Sequence, residues 1–260
     1  MPVNYSTYLE IEQLLSLQRP KSDPVEHDEL LFIVIHQVYE LWFKQVLHEV
    51  DKVKGDFSAN RVFEAINTFK RINSILKTLV GQLDVMETMT PLSFSAFRDR
   101  LDSASGFQSM QFRELEFVLG YKREDVLQYI ETSWAGFDRV QRRLDEPSLI
   151  DHFYDFLEQR NVKIPKQLRE RGPREPSIAD ATVQDGLVKL YLEAPEVAIL
   201  LELMTDFDEG MQEWRYRHVK LVERTIGGKH GTGGSPGVEF LKKSLFQAIF
   251  ADLWAIRHRF

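Results

Sequence analysis

The sequence predicts an all-α fold, in which several long core helices are joined by short connecting helices. Apolar residues recur every three or four positions along most of the chain, which is the spacing of one helix face. No convincing alternating run is bounded by an Asn-Gly or Asp-Gly turn, so strand signals are poor. Start and stop residues such as Pro91 and Gly120 separate the periodic segments. We therefore expect a single-domain helical bundle over residues 1–260.

Composition restricts the classes of protein to which the chain can belong. Its 260 residues are 43% hydrophobic and 28% charged, as in an ordinary globular domain. The net charge of -7 disfavours a nucleic-acid partner, which usually needs a basic surface. The absence of cysteine excludes disulfides, zinc–thiolate sites, iron–sulfur clusters and thiolate-ligated haem. We expect a cytoplasmic protein, because a chain without disulfides fits a reducing compartment.

The apolar runs predict neither a signal peptide nor a membrane segment. The first residues, MPVNYSTYLEIEQLL, carry no basic region and no long apolar stretch. The densest apolar run, Leu30 to Ile35, is far shorter than the roughly 20 residues that a membrane-spanning helix needs. We therefore expect no association with a membrane.

Helix signals in the first half of the chain predict long core helices followed by shorter ones. Ser6 is a suitable N-cap for the first helix. Gly55 is a natural stop for the second, in which Phe32, His36 and Tyr39 share one face. Because this second helix is apolar on nearly all sides, we expect it inside the bundle. The predicted helices are Ser6–Leu17, Val25–Lys54, Asn60–Thr88, Pro91–Leu101 and Phe107–Leu119, with a turn over Asp102–Gly106.

The second half of the chain alternates helices with two irregular segments. Residues 161–180 contain three prolines among many charges and predict an exposed linker or flap. Residues 227–237, GGKHGTGGSPG, contain six glycines and connect the last two helices. The predicted helices in this half are Glu124–Ile130, Ser133–Leu144, Leu149–Gln159, Pro195–Ile226 and Val238–His258.

The glycine-rich segment 227–237 has two interpretations. It is not a Walker A motif, because no Gly-Lys-Ser/Thr closes it, and it is not a dinucleotide fingerprint, because no strand precedes it. It is either a flexible helix connection or an active-site lid. In a lid, the glycines would allow close backbone approach, and Thr232 and Ser235 would offer hydroxyl groups. Composition does not choose between the two.

Two histidines and one arginine are the candidate chemical groups. His36 and His218 each lie on the apolar face of a long predicted helix. A lone histidine in such a place is more often a core residue than a ligand. Two on separate core helices favour a cofactor between them, because neutral imidazole is a common axial haem ligand. Arg98, between Phe94 and Leu101, is either a side chain that reaches the surface or a clamp for a carboxylate.

Several strings in the sequence resemble the tryptophan 2,3-dioxygenase family. They are HDELLFIVIHQVYELWFKQ (27–45), SGFQSMQFRELE (105–116), WRYRH (214–218) and GTGGSPG (231–237), with YSTYLEIEQLL near the N-terminus. They occur in the family's order and span nearly the whole chain. The resemblance implies a homotetramer with one haem b enclosed by each helical bundle. It also implies insertion of both atoms of O2 across the indole C2–C3 bond of L-tryptophan. The product would be N-formyl-L-kynurenine, the first intermediate of the kynurenine route of tryptophan catabolism.

The resemblance also implies roles for individual residues. His218 matches the iron ligand, and His36 matches the distal histidine that faces the indole nitrogen. Phe32 matches a wall of the indole pocket, and Arg98 matches the partner of the substrate carboxylate. Thr232 matches the contact to the ammonium and carboxylate end of the substrate. The remaining matches are Ser105 and Gly106 beside the distal haem face, and Tyr5 and Tyr8, whose segment 1–20 contacts a neighbouring subunit and reaches its pocket.

Two positions depart from the family pattern. Phe94 stands where some members carry a tyrosine that helps to hold the substrate carboxylate, so the expected contact at Phe94 lacks that hydroxyl. A tryptophan is expected to contact the haem at position 83, but this chain carries Leu83 there.

Three other functions compete with the one that the resemblance implies. The chain could be a related haem enzyme that acts on a substituted tryptophan or inserts one oxygen atom. It could be a haem sensor or carrier, although such a protein needs no carboxylate clamp and Arg98 with Thr232 argues against it. It could also be a helical interaction protein without a cofactor.

Overall fold

The computed structural model describes residues 3–234 and 237–260, and within them it contains thirteen α-helices and no strand. The all-α prediction is therefore confirmed. The helices are α1 Tyr5–Leu9, α2 Ile11–Leu15, α3 His27–Ser58, α4 Val62–Met86, α5 Pro91–Arg98, α6 Met110–Val118, α7 Phe137–Asp145, α8 Leu149–Glu158, α9 Lys166–Glu170, α10 Ala181–Glu193, α11 Pro195–Ile226, α12 Val238–Lys242 and α13 Ala251–Ala255. Short 3-10 turns lie at Asp99–Leu101, Gly106–Gln108, Glu124–Tyr129 and Arg257–Arg259.

Helices α3, α4 and α11 form the centre of the bundle, and α8 packs on the far half of α3. Buried phenylalanines fill the space between them, among them Phe57, Phe69 and Phe207. The Tyr39 hydroxyl donates to the carbonyl of Leu79 at 2.7 Å and ties α3 to α4. These contacts hold the three helices whose residues surround the cavity described below.

One face of α3 is more exposed than its apolar composition suggests. By length and composition α3 could cross a membrane, but core helices of water-soluble bundles pass the same test. Its packing against α4, α6 and α8 is that of a bundle helix. Leu30, Val34 and Leu41 nevertheless remain 48%, 37% and 52% exposed. Helix α3 therefore lies inside the bundle, as predicted, but one face of its N-terminal half stays exposed.

The prediction of one C-terminal helix over Val238–His258 is wrong, because the chain leaves the helical conformation between α12 and α13. The cause is the buried carboxylate of Asp208 on α11. Its Oδ2 accepts the backbone N–H groups of Ile249 and Phe250, each at 2.8 Å, and the indole N–H of Trp254 at 3.0 Å. Backbone donors held by Asp208 cannot serve a continuous helix, so the chain is pinned across α11 instead.

Helix α10 was not predicted, and it packs closely on the segment before it. A Cβ added at Gly186 would lie 2.3 Å from Cγ1 and 2.9 Å from Cγ2 of Val162. We expect Gly186→Ala to lower the free energy of unfolding by about 1–3 kcal/mol through overpacking. The control is Gly81→Ala on α4, where an added Cβ meets nothing within 4 Å. It should be neutral or stabilising by about 0.5–1 kcal/mol. Thermal unfolding of both variants is the measurement, and equal midpoints would contradict the predicted contact.

Candidate active site

A cavity of about 260 Å³ lies between α3, α4, α5, α6 and α11, and Gly231, Thr232 and Gly237 of the glycine-rich segment line it. Most of the lining is aromatic or aliphatic. His36 and His218 both line it, as do Arg98 and Thr232. The structure therefore brings together side chains that are far apart in the sequence, from the long helices and from the glycine-rich segment.

The His36 ring is oriented by its own helix, and burial favours its neutral form. Its Nδ1 lies 2.7 Å from the carbonyl oxygen of Phe32, one turn earlier on α3. Because a carbonyl only accepts hydrogen bonds, Nδ1 carries the proton and Nε2 is left as an acceptor. Burial lowers the pKa of His36, although the bond to Phe32 and the charge of Glu40 raise it. His36 thus offers the cavity a hydrogen-bond acceptor near neutral pH.

The His218 ring is stacked in the cavity, and its side chain has no hydrogen bond within residues 3–234 and 237–260. Its ring lies 5.1 Å from that of Trp214, one turn earlier on α11, with only 8° between their planes. Burial, together with the charges of His36 and Arg113, lowers the pKa of His218 to about 4. A neutral, buried imidazole of this kind is suited to bind a metal ion.

An aromatic wall lines the cavity beside Arg98. Phe32 lies 5.7 Å from Phe94 and 5.5 Å from Phe97 between ring centroids, and the ring of His36 lies 4.1 Å from that of Phe32. Arg98 follows Phe97 at the end of α5 and is half-buried. This wall is apolar and flat, and it ends at a guanidinium group.

Arg98 makes one hydrogen bond to the glycine-rich segment. Its Nη2 donates to the carbonyl oxygen of His230 at 2.9 Å. Its Nε is buried and has no hydrogen-bond partner among the described residues. The guanidinium therefore keeps donor capacity within the cavity. This placement favours a clamp for an anionic group over a side chain that reaches the surface.

The glycine-rich segment lies against the turn that precedes α6. The Thr232 hydroxyl donates to the carbonyl of Ala104. A Cβ added at Gly233 would lie 2.9 Å from Cβ of Ser105, so only glycine allows this approach. Ser105 and Gly106 line the cavity, as expected of a turn beside a ligand. Ser235, the other hydroxyl predicted for this segment, lies outside the described residues.

Three predicted site residues need separate comment. The tryptophan predicted at position 83 is wrong, because Leu83 occupies that place; Leu83 is 1% exposed and lines the cavity with aliphatic surface. Tyr5 and Tyr8 do not line the cavity of their own chain. They lie on α1 and are 76% and 75% exposed. Their assignment as pocket residues of a neighbouring subunit stays a prediction.

The cavity is also lined by five charged residues that the sequence pattern did not single out. They are Glu40, Arg113, Glu116, Arg123 and Arg215. Helical spacing contained a signal for two of them, because Glu40 is one turn after His36 and Arg215 is one turn before His218. The side-chain amide of Gln111 donates to the Glu40 carboxylate at 2.9 Å. The cavity therefore combines an apolar interior with charged groups.

This arrangement can bind a flat molecule with an acidic group and hold a metal ion through one imidazole. Among the described residues, no group of three or more histidine and carboxylate side chains could hold a metal ion without further ligands. A metal at His218 would therefore need ligands from a prosthetic group. His218 would then be the protein residue that holds the metal, and the apolar cavity beside it would admit a small ligand.

Comparisons with known proteins point to one family. The family profile described as Tryptophan 2,3-dioxygenase matches residues 2–166 and 156–259. The tryptophan 2,3-dioxygenase of Herpetosiphon aurantiacus is 52% identical over 255 residues, which cover 98% of this chain and 97% of that protein. The protein of the same name from Anaeromyxobacter dehalogenans is 48% identical over 257 residues, covering 98% and 95%. That of Bacillus thuringiensis subsp. konkukian is 38% identical over 258 residues, covering 98% and 92%. The similarity extends over the length of the chain.

Proposed function

Because the chain belongs to the tryptophan 2,3-dioxygenase family, we propose that its cavity is the site of that family's reaction. The chain is an oxidoreductase that adds both atoms of O2 to L-tryptophan and opens the indole ring between C2 and C3. A relative that inserts one oxygen atom is not favoured, since the similar proteins over the full chain are named dioxygenases. The observation that carries the proposal is the meeting of His36, His218 and Arg98 in one apolar cavity.

The cofactor of the proposed reaction is haem b, and His218 would hold its iron. The side chains of the cavity fit such a group: one neutral imidazole for the iron, and flat apolar surface from Phe43, Phe112 and Trp214 for the ring. When bound, haem supplies the oxygen chemistry, and the protein supplies binding, orientation and exclusion of water.

His36 is proposed to orient the substrate. Its Nε2 is the free acceptor of a neutral ring, so it suits the indole N–H as a hydrogen-bond donor. The indole N–H is a very weak acid, and burial makes His36 a weak base. We therefore assign His36 a hydrogen bond to the substrate rather than removal of a proton. Phe32, beside it, would pack on the indole ring.

The amino-acid end of the substrate is proposed to lie at Arg98 and Thr232. The guanidinium would bind the carboxylate, and the glycine-rich segment would close over it. Phe94 adds apolar contact only. Binding at this end fixes the indole ring relative to the cofactor, and such positioning contributes to the rate without any further chemistry from the protein.

The N-terminal segment is proposed to bind another copy of the chain in a homotetramer. Helices α1 and α2 contain no buried residue in the single chain. The carboxylate of Glu29 on α3 accepts the backbone N–H groups of Lys21 and Ser22, at 2.6 and 2.9 Å, and so anchors the base of the segment. The apolar residues before this anchor, and the exposed Leu30, Val34 and Leu41 nearby in the sequence on α3, are surface that a second copy would cover.

Deleting residues 1–10 tests this part of the proposal. We expect kcat/KM for tryptophan to fall by about tenfold or more, because buried aromatic anchors dominate such contacts. The thermal stability of the single chain should change little, since the deletion removes no buried residue from α1. Phe63→Ala, which removes a 66% exposed aromatic from α4, is the control. Unchanged oligomeric state and unchanged tryptophan affinity after the deletion would contradict the proposal.

The reaction itself is tested by spectroscopy and product mass. The purified protein, reduced without oxygen, should show the Soret band of ferrous haem. Adding L-tryptophan and air should give a product heavier by two oxygen atoms, with both atoms labelled when labelled O2 is used. A gain of one atom would show a monooxygenase, and the absence of a Soret band after supplying haem would exclude a haem protein.

A further inference from the structure

Three arginines of the cavity form a cluster with too few carboxylates. Arg113 and Arg215 are 3% and 4% exposed, and Arg123 lies beside them; these three are called the cationic cluster below. Glu116, 2% exposed, pairs with Arg113 and, at 3.2 Å, with Arg123. Among the described residues no other carboxylate lies within salt-bridge distance of the cluster. Three guanidinium charges therefore face one carboxylate.

Of the three arginines, Arg215 is the one whose charge has no carboxylate partner among the described residues. Its Nη1 donates to the carbonyl of Gln247 at 3.1 Å, and its guanidinium lies over the ring of Tyr121 at 5.3 Å. Its Nε is buried without a partner among the described residues. Burial lowers the pKa of Arg215 more than the nearby Glu116, Tyr121 and Asp208 raise it.

Arg113 lies over the ring of Phe107 and Arg123 over that of Phe240, and these rings offset part of the charge but supply no anion. Holding the carbonyl of Gln247 requires one neutral donor, and a buried charge without an anion is costly. The Nε atoms of Arg113 and Arg123 are also buried and unpaired among the described residues. The cluster thus has both the unsatisfied charge and the unsatisfied donors that a bound anion would supply.

We propose that the cationic cluster is a carboxylate anchor for the haem, with Arg215 as its main residue. The proposal rests on the proposed function, in which haem occupies this cavity. The two propionate side chains of haem b are ionised at neutral pH, so their charges match the two that Glu116 leaves uncompensated. Arginine is suited to this task because its planar fork binds carboxylates with two parallel hydrogen bonds. The carboxylate of Glu40, which also lines the cavity, accepts a hydrogen bond from Gln111 and forms no ion pair with the described arginines of the cluster.

The test compares haem with its dimethyl ester, which keeps the iron and the ring but lacks the two negative charges. The full-length chain is loaded with each, and the rate at which each leaves for excess apomyoglobin is measured. We expect the wild type to retain haem longer than the ester. In Arg215→Met this preference should fall by about 10- to 100-fold, the value of a hydrogen-bonded charged pair. Arg215→Lys should keep part of it, because an ammonium retains the charge but loses the fork.

Arg217→Met is the matched control, since Arg217 lies on the same helix but pairs with Asp84 away from the cavity. It should keep the full preference. If Arg215→Met does not fold, Arg123→Gln at the rim of the cluster serves in the same comparison. Equal retention of haem and ester by the wild type, or equal weakening of both in the variant, would overturn the anchor. A chain that binds neither compound and does not turn over tryptophan would instead refute the proposed function.

Discussion

Replacing His218 with alanine is expected to yield a folded chain that has lost most of its haem and all of its dioxygenase activity. Partners that only orient a metal ligand already change metal affinity by about 10- to 100-fold, so loss of the ligand itself should exceed this. The fold should survive, because the His218 side chain forms no hydrogen bond with the part of the chain that the structure describes, and its ring stacks on that of Trp214. The ratio of Soret to protein absorbance measures haem, and far-ultraviolet circular dichroism measures folding.

His48→Ala is the control for this variant, because His48 lies on an exposed face of α3 and does not line the cavity. It should retain haem as the wild type does. Added imidazole should restore part of the haem signal in His218→Ala, since it can enter the space that the side chain vacates. If His218→Ala instead keeps full haem with an unchanged ferrous spectrum, another residue is the ligand.

The fold could be predicted where local signals and tertiary contacts agree. Pro195 and Gly227 bound α11 as expected, since proline suits a helix start and glycine a helix end. The first predicted helix, Ser6–Leu17, is instead two short helices, because Asn4 caps α1 and Glu10 adopts a left-handed conformation. The predicted stop at Gly55 failed, because the chain remains helical to Ser58.

The structure differs most from the predicted helices where tertiary contacts override local signals. The break before α13 depends on Asp208, some forty residues away in the sequence, and no local pattern announces it. Helix α10 did carry a signal, because Asp180 caps it through the N–H groups of Thr182 and Val183. The prolines that precede it led to a linker being predicted up to that residue.

Some residues of the candidate site could likewise be predicted from local signals, and others could not. His36 and His218 could be found because each lies on the apolar face of a helix that the sequence predicts well. Arg215 could not be assigned, because its significance lies in a missing carboxylate, and only the folded chain shows which charges lie near it. The predicted tryptophan at position 83 failed for a simpler reason. A family pattern was carried to a position where this chain has Leu83.

Arg98→Leu is expected to lower kcat/KM for L-tryptophan steeply. Removing one member of a charged pair in a closed pocket costs roughly 2–5 kcal/mol. This corresponds to a loss of about 30- to several-thousand-fold, since ~1.4 kcal/mol is a factor of ten. Arg98→Lys should recover only part of the loss, because an ammonium keeps the charge but lacks the planar fork.

The hydrogen bond from Arg98 to His230 makes a second effect possible, because its loss could loosen the glycine-rich segment. Tryptamine separates the two effects. It has no carboxylate, so its slow turnover should change little if Arg98 acts mainly as a clamp. It should fall together with that of tryptophan if Arg98 acts mainly through the segment. Small and equal effects of Arg98→Leu on both compounds would show that Arg98 neither binds the carboxylate nor holds the segment.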